Sequence, residues 1–312
     1  MTVTASVQGR DFIADDDFTA DEYTRVLDRA AALKDERRRG VLHDHLLRGK
    51  TVALIFQKPS TRTRVSFEAG IAQLGGHGLQ FSANDLQLGR GETIEDTARV
   101  MARYVDAIMA RVVKHEDIVG LTVADVPVIN GLSDLFHPTQ GLADMLTVRE
   151  YLGGWRGHTL AYVGVANNML NTLLVAGALL GLNIRAVCPV ERAPEPDILA
   201  RAERLAAASG AEIRVVHDPH EGVAGAEIVY TDVWRSMGDP GGLSLNILEP
   251  YRVTSALLDA AGPQALFMHC LPLLRGQEVA AEVADGPRSI IFDQAENRMH
   301  VHKALLVEQL GV

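Results

Sequence analysis

Cysteine is nearly absent from this chain: Cys188 and Cys270 are the two in 312 residues. They form no metal-spaced pair, and two thiols cannot make a disulfide framework. A reducing, cytoplasmic compartment is therefore the default expectation. Long apolar runs are missing too. The longest, Leu173 to Leu182, is far short of the ~20 residues a membrane span needs. The opening residues MTVTASVQGRDFIADDDF hold no apolar core and no early positive cluster, so no secretory signal is expected there. Positive charge is in deficit, with 30 Lys and Arg against 40 Asp and Glu and a formal net charge of −10. That balance argues against duplex nucleic acid or a membrane surface as a partner, while leaving room for a local basic site. The β-α turn Gly164-Val165-Ala166-Asn167-Asn168 lacks the G-x-G-x-x-G spacing of a dinucleotide fold. The pairs His43/His45, His217/His220 and His300/His302 lack the three or four converging ligands a metal requires. Neither a metal nor a cofactor is expected.

What remains is an ordinary globular composition, 47% apolar and 22% charged. The length suits one large or two ordinary domains, and such a chain needs no staple to hold its core. Short β-rich runs alternate with helical patterns. The candidate strands of the first half are Thr51–Gln57, Gly78–Phe81, Ala107–Val112 and Val126–Asn130. Those of the second are Thr159–Val165, Ile184–Cys188, Glu212–His217, Ile228–Val233, Ala265–Cys270 and Ser289–Phe292. Most are apolar on both faces, as strands are when helices cover both sides of a parallel sheet. Candidate helices include Glu22–Glu36, Glu92–Tyr104, Pro138–Tyr151, Asn168–Leu182 and Pro196–Ala208; the fourth is apolar almost all round and should be buried. Repeated β-α-β order predicts an α/β protein of two doubly wound parallel-sheet domains. The junction is expected near Gly153-Gly154, dividing residues 1–150 from 151–299. A binding cleft is expected between the domains, at the carboxyl ends of their strands.

Four segments carry chemistry. Lys58-Pro59-Ser60-Thr61-Arg62-Thr63-Arg64 follows a strand and opens a helix. Hydroxyls, a guanidinium and free N–H groups at a helix start make an anion site; an ordinary cap with exposed arginines is an equally good local reading. In His137-Pro138-Thr139-Gln140, proline suits the first helical position. His137 and Gln140 could polarise a carbonyl there, or His137 could simply cap. His269-Cys270-Leu271-Pro272 ends a strand, and its cysteine could be a nucleophile, a ligand group or buried filler. Asp232-Val233-Trp234-Arg235-Ser236-Met237-Gly238 runs into Asp239-Pro240-Gly241-Gly242, a loop that could close on a ligand or lie passive at the surface.

Together these segments resemble the aspartate/ornithine carbamoyltransferase family. The match is ordered along nearly the whole chain: Phe56–Glu68, Asp96-Thr97-Ala98-Arg99, FHPTQGLADMLT at Phe136–Thr147, HCLP, and AENR at Ala295–Arg298. The DVWRSMG loop resembles the ornithine branch. The resemblance implies transfer of a carbamoyl group from carbamoyl phosphate to the δ-amine of L-ornithine, giving citrulline and phosphate, without cofactor or metal. It places carbamoyl phosphate on Ser60, Thr61, Arg62, Thr63, Arg111, His137, Gln140 and Arg298. Gln87 matches a residue the family donates from a neighbouring subunit of a trimer. Asn168, Asp232, Ser236 and Met237 match ornithine contacts, with Cys270 and Leu271 beside the reacting amine. Arg111, His137, Cys270 and Arg298 are the implied catalytic set. A C-terminal helix, about 300–312, is expected to pack on the first domain. Val165 and Leu273-Leu274 depart from the family pattern on the acceptor side. They leave acetylornithine or putrescine open as the amine, and a silent carbamoyl-phosphate-binding or partner-binding homologue is the alternative of another class.

Overall fold

The computed structural model describes residues 6–82, 85, 91–235 and 243–312. Two units partition the chain. One runs up to Leu146 and takes in Glu296–Val312; the other is Thr147–Ala295.

The first unit holds a four-stranded sheet of β1 (Thr51–Phe56), β2 (His77–Ser82), β3 (Ala107–Arg111) and β4 (Val128–Leu132). All pairs are parallel, in the order β2-β1-β3-β4. The buried runs VALIF of β1 and AIMA of β3 occupy the centre, while β2 is half-exposed at an edge. The far edge is closed by Phe12, which pairs with Ile129; its N–H donates to Val128 O at 2.8 Å and its O accepts from Asn130 N–H at 2.9 Å. An edge so covered cannot recruit another strand. Ala53, Ile55, Ile108 and Ala110 of the sheet form one core with Ala98, Ile118 and Leu121 from its helices.

The second unit holds β5 (Thr159–Val163), β6 (Asn183–Val187), β7 (Ile213–Val216), β8 (Ile228–Tyr230) and β9 (Leu266–Met268). Their order is β7-β6-β5-β8-β9, again all parallel. Both sheets are thus of the doubly wound kind expected, each with a point where the winding reverses: between β1 and β3, and between β5 and β8. Ligands of such sheets collect there, beyond the carboxyl ends of the strands.

Nine of the ten expected strands are present: six are shorter than expected by one to three residues, β2 is a residue longer at each end, and β4 and β6 are shifted along the chain by two residues and one. The tenth, Ser289–Phe292, is corrected. Ser289 makes a single bridge to Phe267, and Ile291 starts a 20-residue helix, Ile291–Leu310. The apolar triplet looked strand-like because the amphipathic pattern that overrides it lies downstream. That helix also starts well before residue 300, so Arg298 is helical. The helix Asn168–Leu180 is buried at every position but Leu179, as its all-round apolar pattern requires. No described helix is long and apolar enough to cross a membrane.

Candidate active site

In the first unit, Ser60 takes the N-cap position of helix Thr61–Gln73 with extended backbone, and its side chain makes no capping hydrogen bond. The N–H groups of the first turn have no partner four residues back and form an anion-binding end. Ser66 holds that turn by donating to Arg62 O at 2.6 Å and Thr63 O at 3.1 Å. Arg111 closes β3 in register with Phe56 of β1, and its carbonyl accepts from Gln57 N–H at 2.9 Å. Arg111 and the Ser60–Thr63 turn therefore flank the switch point of this sheet.

Three further groups reach the same place from helices Pro138–Leu152 and Ile291–Leu310. Arg298 is 3% exposed and forks: Nη2 donates to Thr63 Oγ1 at 2.7 Å, and Nη1 donates to Gln140 Oε1. Gln140 in turn donates from Nε2 to Asp144 Oδ1 at 2.7 Å, which orients its amide. His137 is buried beside them. Burial, then Arg298, Arg111, His302 and Arg62, hold its pKa well below the ordinary 6.5. His137 is thus a neutral imidazole among three guanidinium groups. Such a set can hold a small oxyanion and donate to a carbonyl whose charge grows during reaction.

In the second unit, the loops after β5, β8 and β9 meet at the other switch point. Asn167 caps helix Asn168–Leu180: its Oδ1 accepts from Met169 N–H at 2.9 Å and Leu170 N–H at 3.1 Å. Its Nδ2 donates to Asp232 Oδ2 at 2.7 Å. The other carboxylate oxygen, Oδ1, accepts from Cys270 Sγ at 3.3 Å. Both oxygens of this largely buried acid are therefore fixed in direction. Asn168 is buried next to Asn167, and Leu271 is half-buried beside Cys270. Asp232, His269 and Cys270 bring one donor atom each within 4.8 Å of one another. His269 is committed elsewhere, since Nδ1 accepts from Leu271 N–H at 2.9 Å and Nε2 faces Glu278 Oε1 at 3.3 Å. That leaves two ligand atoms, fewer than a stable site of a soft divalent ion uses.

This geometry agrees with what relatives of the chain are. The model for the carbamoyl-P binding domain of aspartate/ornithine carbamoyltransferases matches residues 10–150, and that for their Asp/Orn binding domain matches 156–308. The chain belongs to the aspartate/ornithine carbamoyltransferase family. It is 53% identical over 282 residues to the ornithine carbamoyltransferase of Methanothermobacter thermautotrophicus, covering 89% of this chain and 93% of that one. An anabolic ornithine carbamoyltransferase of Pyrococcus furiosus is 48% identical over 312 residues, 99% of each chain. A solved structure of ornithine carbamoyltransferase from the same organism superposes with a TM-score of 0.95 at 48% identity, again over 99% of both chains.

Arg62, Thr63, Arg111, His137, Gln140 and Arg298 are brought together in one unit, with Ser60 and Thr61 at the same helix end. Asn168, Asp232, Cys270 and Leu271 are brought together in the other. Gln87, Ser236 and Met237 lie outside the described residues. Two contributors were missed in the sequence. Asp144 sits one turn beyond Gln140, a spacing that puts both on one helix face. Asn167 was passed over for Asn168, although the residue just before a helix is where a capping side chain belongs.

The double duty of Asn167 gives an expected result. Asn167→Asp keeps an oxygen acceptor for the helix start but sets a carboxylate against Asp232. Asn167→Ser keeps a cap and drops the link, and Asn167→Ala drops both. Thermal midpoints should hold for Ser, fall for Ala by the equivalent of about 1 kcal/mol, and fall for Asp wherever both acids are ionised. KM for the amine substrate should rise in all three, because Asp232 loses the amide N–H that orients its carboxylate. Unaltered amine kinetics in Asn167→Ser would sink the link.

Proposed function

We propose that the protein transfers the carbamoyl group of carbamoyl phosphate to the δ-amine of L-ornithine, yielding L-citrulline and phosphate in arginine biosynthesis. The observation that carries this reading is the buried cluster in which Arg298 donates to Thr63 and Gln140 beside His137, with Arg62 and Arg111 close enough to lower the histidine's pKa. Residues 1–150 are read as the carbamoyl-phosphate domain and 151–299 as the amino-acid domain. Carbamoyl phosphate binds first. Its phosphate lies on Ser60, Thr61, Arg62 and Thr63, with Arg111. Its carbonyl oxygen receives Arg298 and the N–H of His137, and Gln140 accepts from its amide.

The attacking amine must be neutral, although an alkyl ammonium has a pKa near 10.4. A desolvated site with a nearby acceptor favours the neutral form. Asp232 and Asn168 hold the α-amino and carboxylate groups, and Cys270 and Leu271 lie beside the δ-nitrogen. That nitrogen forms a bond to the carbonyl carbon. The carbon–oxygen bond to phosphate then breaks, phosphate leaves with the electron pair, and the proton lost by the amine ends on phosphate. A covalent carbamoyl-cysteine is not needed, because the leaving group is already good.

The departures from the family pattern do not fall on these groups. Val165 is buried in an apolar cluster with Trp234 and Leu248. Leu273 packs on the apolar core of its unit, and Leu274 is exposed at the surface. Val165 stands where the family commonly has an acid, yet the Asn167–Asp232 and Cys270–Asp232 contacts are in place beside it, which supports ornithine as the acceptor. Ser236 and Met237 are read as completing the ornithine contacts. Gln87 is read as reaching a neighbouring copy in a cytoplasmic homotrimer.

A colorimetric ureido-product assay with carbamoyl phosphate and ornithine, lysine, putrescine or acetylornithine tests the reading. Ornithine should give the highest kcat/KM, with lysine, one methylene longer, worse by about 1–3 kcal/mol. A higher value for putrescine or acetylornithine would overturn the acceptor assignment and spare the donor one. No product with any amine would overturn both.

A further inference from the structure

The HCLP turn presents Cys270 to Asp232. Leu271 adopts φ 61°, the left-handed region that a bulky residue enters only when its surroundings impose it. Two residues outside the substrate contacts do so. His269 and Glu278 are both fully buried. His269 Nδ1 accepts the Leu271 N–H at 2.9 Å, so this nitrogen is unprotonated and Nε2 carries the hydrogen. Nε2 faces Glu278 Oε1 at 3.3 Å. The same Oε1 accepts the Leu274 N–H at 2.5 Å. One carboxylate oxygen thus touches both ends of the turn: it accepts the hydrogen bond of residue 274, and it lies against the edge of the imidazole that holds residue 271, a close contact without hydrogen-bond alignment.

The two anchors are themselves held. The Glu278 carbonyl accepts from Val253 N–H at 2.9 Å, and Val253 O accepts from Ala280 N–H at 2.9 Å. The His269 N–H donates to Gln294 Oε1 at 3.0 Å, and Gln294 donates from Nε2 to Tyr230 OH at 3.2 Å. The clamp is therefore tied to β8, to β9 and to the start of helix Ile291–Leu310.

We infer that His269 and Glu278 are positioning residues that lock the Cys270–Leu274 turn and so set the Cys270–Asp232 contact used for the acceptor amine. The inference rests on the proposed amine site but has its own readout. What Glu278 contributes is an acceptor oxygen for the Leu274 N–H, placed against the His269 ring edge. Glu278→Gln keeps that oxygen and should keep near-parental kinetics, whereas Glu278→Leu loses it. In Glu278→Leu, KM for ornithine should rise and kcat/KM fall by about tenfold or more, as small misplacements at a reacting centre do. Carbamoyl phosphate binding by calorimetry should be unchanged, since every donor contact lies in the other unit.

If Glu278→Leu does not fold, His269→Asn decides. An asparagine oxygen can still accept the N–H two residues on, but the side chain is too short for Glu278. Half of the clamp remains, and KM for ornithine should rise with carbamoyl phosphate binding intact. An unchanged ornithine KM in the folded variant, or a Gln variant as impaired as Leu, would overturn the clamp. Should the protein carbamoylate no amine at all, the reaction of Cys270 with a disulfide reagent still tests it. A released turn should change that rate by about fivefold or more relative to the parent, and an unchanged rate would refute the inference on its own. Cys188 is fully buried and does not obscure the measurement.

Discussion

Arg298→Met should lower kcat/KM by about 10²–10³, the usual effect of removing one preorganised donor from a developing oxyanion. The loss has two parts. The fork that donates to Thr63 and Gln140 disappears, so Thr63 Oγ1 loses a partner and the Gln140 amide is held by Asp144 alone. The charge that would meet the carbonyl disappears as well. Arg298→Lys should recover little, because an ammonium is a point charge and cannot span Thr63 and Gln140 with a rigid fork. Steady-state rates with each substrate varied, together with calorimetry for carbamoyl phosphate alone, check this. A variant within about threefold of the parent would remove Arg298 from the catalytic set.

Acid should destabilise the first unit before its carboxylates begin to titrate. Four of its histidines have folded pKa values below the ordinary 6.5. His43 is lowered by burial and then Lys303, and His137 by burial and then three arginines and His302. His302 is lowered well below 6.5 by burial and Arg298, and His300 falls to about 3 by burial and its lysine and arginine neighbours. The unfolded chain takes up protons below pH 6.5 that the folded unit refuses. Stability is therefore complete above pH 6.5 and is lost as pH falls from there towards each folded pKa, for His300 down to about 3. Each such histidine can contribute up to about 1.4 kcal/mol per pH unit. Lys303, lowered to about 8 by burial and Arg37, has its effect above that pH and does not enter this window.

Denaturant unfolding at pH 7.5, 6.5 and 5.5 should show stability falling by several kcal/mol over that range, or about 1 kcal/mol or more per unit. His302→Phe should flatten the dependence without loss at neutral pH. The His302 ring stacks on Phe67 at 3.9 Å, and neither of its nitrogens has a hydrogen-bond partner among the described residues, so phenylalanine keeps the stack and loses no polar contact there. A flat profile in the parent would refute the neutral-histidine picture of this unit.

Much of the molecule was legible from residues in order. Runs such as TVALIF and TLAYV, apolar on both faces, can only be central parallel strands, and their alternation with helices left little choice but doubly wound sheets. The two helix starts that carry Ser60–Thr63 and Gln140 were legible as well, because a helix start announces itself locally through Ser60, Thr61 and Pro138. Other features were settled only by folding. The Ser289–Phe292 run has strand propensity but ends as one bridge and a helix start, since packing along a 20-residue amphipathic helix outweighs three apolar residues. Asn167 holds Asp232 while capping its helix, a double role set by side-chain direction at a helix start and invisible in two identical letters. His302 belongs to a pair too small to hold a metal, and only the fold shows its use, a ring stacked on Phe67 whose pKa burial holds well below 6.5. His269 and Glu278 stand nine positions apart with no periodicity to link them. Strand and helix are dictated by spacing along the chain, which is local. Which oxygen meets which hydrogen across a turn depends on where distant backbone has been placed, and that belongs to the tertiary structure.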